Sequence, residues 1–275
     1  MKKNWLNNKN VIITGASGGL GFAITTLLIN KYNCNVLGIA RNKQKIENAK
    51  QSLGDKKDKF TYLLLDVSKK ESWDEIKNHV IDTNFMPDLL INNAGFMLPF
   101  SRFEKVTENE IEEIVSTNFM ATVFGVKKLL PVVKASSTPA IVNIASAAGM
   151  CAIVGQSMYC ATKSAVRGFT ETLQQDYKKQ VYIAGVYPGF LKTNILDKMT
   201  ISAKESKLIN KLMMPVEKAA KKIVRRIAKR RKRIVIGLDG RAMTYFSRLF
   251  PKFTPTAIRK VLKITKLAMF DDVFN

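Results

Sequence analysis

Six short apolar runs punctuate the first two thirds of the chain, at residues 11–14, 35–40, 60–66, 89–92, 140–145 and 181–187. Each is nearly continuous rather than alternating, as expected of strands covered on both faces. Stretches with helical spacing separate them, at 20–31, 42–53, 69–83, 107–134 and 157–179. Strands alternating with helices through right-handed crossovers predict an α/β fold, an open, doubly wound parallel sheet with helices on both faces. Ser68, with Glu71 three residues on, and Thr107, with Glu110, predict helix N-caps. After Pro188-Gly189 the pattern loosens until Pro215, which predicts a lid. Pro215 then opens a helix to residue 231, and Ile234-Val235-Ile236-Gly237 reads as one more strand, giving about seven in all. The chain reads as one domain, with a body over 1–237 and a C-terminal helical extension over 238–275.

Hydrophobic residues make up 46% of the 275, enough for a sizeable core and too many for disorder. No run reaches the ~18 uninterrupted apolar residues of a membrane span. The first apolar run ends at once in a glycine turn, so a secretory signal is not expected. Cys34, Cys151 and Cys160 form no CxxC pair and are odd in number, which suits a reducing, cytoplasmic setting. Cys160 is read as an ordinary thiol, having no histidine nearby to activate it. With His79 the one histidine, there is no material for a His-based triad or a metal cluster.

The chemistry begins at Thr14-Gly15-Ala16-Ser17-Gly18-Gly19-Leu20-Gly21, between the first strand and the first helix. Glycines there admit a phosphate close to the backbone, and the helix N-terminus offers free N–H groups and partial positive charge. The spacing is G-x-x-x-G-x-G rather than G-x-G-x-x-G, but its place directly after a strand makes it specific for a dinucleotide. Twenty residues past Gly21, where an NAD site would carry a carboxylate, the chain reads Ile39-Ala40-Arg41-Asn42. A guanidinium pairs bidentately with a 2′-phosphate, so NADP(H) is the expected cofactor.

Tyr159 and Lys163 stand four apart, with Ser146 thirteen residues before the tyrosine. On a helix, positions four apart share a face. A phenol has a pKa near ~10, and a neighbouring ammonium is expected to lower it. Tyr159 would then donate its proton to a carbonyl oxygen as hydride arrives at carbon, while Ser146 holds that oxygen by a hydrogen bond.

Thr14 to Gly21, Asp66-Val67, Asn92-Asn93-Ala94-Gly95, Asn118, Ser146, Tyr159-x-x-x-Lys163 and Pro188-Gly189 with Thr193 recur in this order. Over residues 8 to 237 the chain therefore resembles a single-domain short-chain dehydrogenase/reductase with a Rossmann-like sheet. The resemblance implies a catalytic set of Asn118, Ser146, Tyr159 and Lys163, with Asn118 anchoring a relay water and Lys163 also binding the nicotinamide ribose. It implies further cofactor contacts from Gly15, Ser17, Gly18, Gly19, Leu20 and Gly21. Asp66 and Val67 would face the adenine, and Asn92, Ala94 and Gly95 the adenine ribose and pyrophosphate. Pro188, Gly189 and Thr193 would hold the nicotinamide. It also implies a homodimer or homotetramer joined through helices 107–134 and 157–179.

The substrate pocket is expected between the loop after Gly95 (Phe96, Met97, Leu98, Pro99 and Phe100), Met150, and the lid residues Phe190, Leu191, Ile195, Leu196 and Met199. Ser146 and Tyr159 would touch the reacting group. These walls suit an uncharged hydrophobic carbonyl or alcohol such as a steroid or long-chain ketone. A 3-oxoacyl thioester reductase is the rival within the class. A non-catalytic NADPH sensor is the rival outside it, though binding alone needs no proton donor.

Charge adds a separate expectation. The net charge is +23, and +16 of it falls from Lys198 onward. Residues 218–233 hold ten Lys/Arg around apolar positions recurring every four residues, which fits a solvated helix packed on the sheet. The tail adds Tyr245, Phe246, Leu249, Phe250 and Phe253 with Arg248 and Lys252, so peripheral contact with an anionic membrane is expected there. Nucleic acid is not an expected partner, because no reading module accompanies the charge.

Overall fold

The strands form because their side chains have an apolar layer to enter on either side. In the computed structural model, which describes residues 4–192, 213–265 and 267–274, seven strands pair in parallel. They are β1 (Asn10–Thr14), β2 (Asn35–Ala40), β3 (Phe60–Leu64), β4 (Leu89–Asn92), β5 (Ala140–Ile144), β6 (Tyr182–Pro188) and β7 (Arg233–Ile236), in the order β3-β2-β1-β4-β5-β6-β7. Successive residues of β1 serve opposite layers. Val11 and Ile13 join a core with Ile24 and Leu28 of helix α1 (Gly19–Tyr32). Ile12 joins a second core with Trp73 and Ile76 of α3 (Lys70–Asp82) and Leu129 of α5 (Ala121–Lys134). Between α1 and α3 lies α2 (Lys43–Gln51), whose N-cap Asn42 accepts from Lys45 N at 2.8 Å.

The predicted helix over 107–134 is divided. Thr107 makes the expected capping box with Glu110 at the start of α4 (Glu108–Val115). A π-helical turn, Ser116–Met120, then widens the helix before α5 and buries Asn118. Such turns recur at functional sites. The other predicted cap fails: α3 begins after Lys69, and Ser68 gives its N–H and O–H to Asp66 Oδ1 at 3.0 and 2.8 Å. A charged acceptor two residues back competes better for these donors than the helix end does.

Downstream come α6 (Ser157–Asp176), α7 (Val216–Ala228), α8 (Leu238–Leu249), α9 (Phe253–Thr265) and α10 (Asp271–Phe274). The cationic helix α7 buries Val216, Ala219, Ala220, Ile223, Val224 and Ile227 in the first core and leaves Lys218, Lys221, Lys222 and Arg225 in solvent. Its apolar stripe is spent on the fold. The C-terminal extension builds a third apolar cluster, in which Leu267, Phe270 and Val273 meet Phe100, Cys151 and Ile153. Among the described residues no helix is long and apolar enough to cross a membrane.

Candidate active site

The carboxyl ends of β1 and β4 are locked together where the strand order reverses. Thr14 Oγ1 accepts from the N–H groups of Asn93 and Ala94, both at 2.9 Å, and Asn93 Nδ2 donates to Thr14 O at 2.9 Å. Open α/β sheets bind ligands at this switch point. Helix α1 starts here from Gly18, without a side-chain cap and without an acid in its first turn. A Cβ on Gly21 would lie 2.2 Å from the Gly15 carbonyl oxygen, so only glycine lets the helix close on the turn. Gly15, Gly18, Gly19, Leu20 and Gly21 all border a cavity of about 640 Å³. An uncapped, electropositive helix end opening into a cavity fits a pyrophosphate.

The same cavity is bordered by Ala94, Gly95, Ser146, Tyr159, Lys163, Pro188 and Gly189. Ser146 follows β5 and caps the turn Ala147–Gly149, its Oγ accepting from Ala148 N at 3.1 Å. Tyr159, half-buried in the first turn of α6, lies near enough to the Ser146 hydroxyl for that group to favour its ionised form. Lys163, one turn further, is buried; its Nζ donates to Ile144 O at 3.2 Å and stands 5.7 Å from the Tyr159 ring centre. Asn118 Oδ1 and Lys163 Nζ both border Gly95.

Two expectations are corrected by this geometry. The Tyr159 phenol is not acidified by its lysine: burial raises its pKa, the nearby Ser146 hydroxyl lowers it and Cys160 raises it, for a net increase. Burial also pushes the Lys163 ammonium down to about 8. The Asn118 side chain is engaged with the loop after β4. Its Oδ1 accepts from Phe96 N at 2.9 Å and its Nδ2 donates to Phe96 O at 2.8 Å, clamping the loop after β4. Met150 lies off the cavity wall, packed against Ala145, Val166 and Tyr187, with its sulfur accepting from Arg167 and Arg233.

The remaining positions divide. Met97 and Phe190 border the cavity as expected, with Phe96, Phe100 and Leu191. Asn92 is buried and donates to Asn143 Oδ1 at 2.8 Å, so its side chain is a strut between β4 and β5 rather than a ligand group. Val67 is buried, its carbonyl accepting from Trp73 Nε1 at 2.9 Å. Ser17, Arg41, Asp66 and Val67 are not on this wall. Arg41 is exposed, with Nη1 3.7 Å from Asp66 Oδ2. Burial opposes ionisation of Asp66, but Ser68, Arg41 and Lys69 outweigh it and hold the carboxyl below the usual range. Thr193, Ile195, Leu196, Met199 and most of the expected lid fall outside the described residues. Cys160 keeps its proton, since burial raises its pKa more than the Ile153 N–H lowers it.

Sequence reasoning missed the contribution of the C-terminal extension. Met243, Leu262, Met269 and Phe270 wall the cavity opposite no motif at all, and Asp239 joins them. Asp239 Oδ2 accepts from Phe190 N at 2.6 Å, and a Cβ on Gly189 would come 2.2 Å from it. A signal existed, because Asp239 is the one acid between residues 218 and 270. Asp239→Ala is expected to orphan the Phe190 N–H and cost about 1–2 kcal/mol, read as a lower thermal midpoint, with KM for the carbonyl substrate rising more than kcat falls.

A phenol, a hydroxyl and a buried ammonium on one cavity with a phosphate-ready helix end define a dinucleotide-dependent oxidoreductase. The sequence model of the short chain dehydrogenases matches residues 9–204, and the chain belongs to that family. SadH of Mycobacterium tuberculosis, described as an oxidoreductase, is 32% identical over 259 residues, covering 88% of this chain and 90% of that one. A Staphylococcus saprophyticus protein, described as an uncharacterized oxidoreductase, is 34% identical over 201 residues, covering 70% and 78%. The alcohol dehydrogenase of the archaeon Thermococcus sibiricus, complexed with 5-hydroxy-NADP, superposes with a TM-score of 0.73 at 25% identity, covering 83% of this chain and 95% of that one.

Proposed function

We propose that the protein interconverts a carbonyl and a secondary alcohol on an apolar substrate, using NADP(H). The observation that carries this reading is that Tyr159, Ser146 and Lys163 border the same cavity as the glycine turn. Bound nicotinamide would supply the hydride. The turn from Gly15 to Gly21 would hold its pyrophosphate, and Pro188, Gly189 and Lys163 would border its reactive end.

Tyr159 keeps its proton at neutral pH because burial raises its pKa, which suits a donor to a carbonyl oxygen. Ser146 holds that oxygen beside the phenol, and Lys163 supplies positive charge near the developing phenolate. Asn118 acts one step away, by fixing the Phe96 backbone. The substrate end is apolar: Met97, Phe100, Met243, Leu262 and Phe270 contribute no hydrogen-bonding side chain. Gln156 and Asp239 are engaged with Leu98 O and Phe190 N. NADPH consumption against a panel of steroids, long-chain ketones, acyl thioesters and sugars tests this. Turnover confined to the sugars would sink the substrate class, and none with any carbonyl would sink the reaction.

For the cofactor, Arg41 presents an exposed guanidinium just past β2, where the chain carries no Asp or Glu of its own, although Asp66 of the next strand end lies 3.7 Å away. The 5-hydroxy-NADP bound by the Thermococcus enzyme supports the same choice. Arg41→Ala is expected to weaken NADPH binding about tenfold and leave NADH binding unchanged, measured by fluorescence titration of both. An equal loss for the two would assign Arg41 no part in the 2′-phosphate.

A further inference from the structure

We propose that the outer face of α8 and α9 docks on an anionic lipid surface. Among the described residues twelve large hydrophobic side chains stand exposed, and eight of these lie between 238 and 264, concentrated on two consecutive helices and the turn between them. Tyr245 and Leu249, and Phe246 and Phe250, are helical neighbours at i, i+4, and Phe253 continues the row after the turn. On α9, Ile258 and Leu262 pack inward on the third apolar cluster while Val261 and Ile264 face out.

Charge selects the occupant. Arg241, Arg248, Lys252, Arg259, Lys260 and Lys263 are exposed on this segment, and no Asp or Glu occurs between 240 and 270. A second copy would set this cationic face against itself. Aromatic side chains ringed by Lys and Arg are what a bilayer interface accepts, rings at the headgroup level and ammonium groups on the phosphates. Position supports the same occupant: Val261 is both 60% exposed and part of the cavity wall, so the patch reaches the rim of the site. A lipid-dissolved substrate could enter from the membrane without crossing water.

The test uses the full chain, sedimented with phosphatidylcholine vesicles with and without phosphatidylglycerol. Binding is expected only with phosphatidylglycerol and falls as salt rises. The Lys260→Gln/Lys263→Gln pair should weaken it about 30-fold, at the usual contribution of a surface cation. Phe250→Ser/Phe253→Ser should also release the protein, with the thermal midpoint of both variants unchanged. No binding at low salt, equal binding to phosphatidylcholine alone, indifference to both pairs, or a dimer that either pair dissolves would each overturn the proposal. The readout is attachment, so a vesicle-bound but inactive protein would remove the catalytic reading and leave the docking face standing.

Discussion

Tyr159→Phe is expected to lower turnover by roughly 10²–10⁴-fold, the range for removing a positioned general acid, while cofactor affinity changes little. The substitution deletes one oxygen. The tyrosine stands with Ser146 on the wall shared with the nicotinamide end of the cavity. The ring itself packs in the third apolar cluster, and phenylalanine keeps that packing. Fold and cofactor site should therefore survive, which separates the loss of a proton from the loss of a pocket. Steady-state NADPH oxidation measures the first, and cofactor fluorescence titration the second. A variant turning over within tenfold of the parent would remove Tyr159 from the chemistry and leave a dinucleotide-binding protein of another kind.

The legible parts of the molecule are those fixed by near neighbours in the chain. Val11-Ile12-Ile13 announces a doubly covered strand because both faces of β1 enter a core. Thr107 and Glu110 cap their helix because the two groups are three residues apart whatever lies beyond. Tyr159 and Lys163 share a face by helical geometry alone. What stayed hidden depends on distant or competing partners. Ser68 has the right spacing for a cap but meets the Asp66 carboxylate first. The π turn at Asn118 widens a helix without interrupting its polarity pattern, so periodicity passes over it. Met150 is turned away by the short helical turn after Ser146 and captured by Arg167 and Arg233. Whether an ammonium acidifies a phenol is a contest between charge and burial, and only the packed structure shows that burial wins. The wall built by Met243, Leu262, Met269 and Phe270 shares an apolar cluster with Phe100 and Ile153, ninety or more positions away in sequence.

Lys163→Met should abolish most turnover yet make the free protein more stable at neutral pH, by about 1–3 kcal/mol. The lysine is buried, its described hydrogen bond goes to one carbonyl, and burial holds its pKa down to about 8. Below pH 8 the side chain is charged in both folded and unfolded chains, and the folded state bears the whole desolvation cost. Between about 8 and the ordinary value of 10.5 the unfolded chain binds a proton that the folded one has released, so the parent gains stability as pH rises. A methionine of similar length fills the space without a charge, though it leaves the Ile144 carbonyl without that donor, which trims the gain. The expected result is a higher thermal midpoint for the variant at pH 7 and a gap that closes as pH rises from 8 towards 10. A gap that is absent or widens with pH would mean that Lys163 is well solvated. The stability forgone at this position would then have no connection with catalysis, and the buried ammonium could not be the group that steadies the Tyr159 oxygen as its proton leaves.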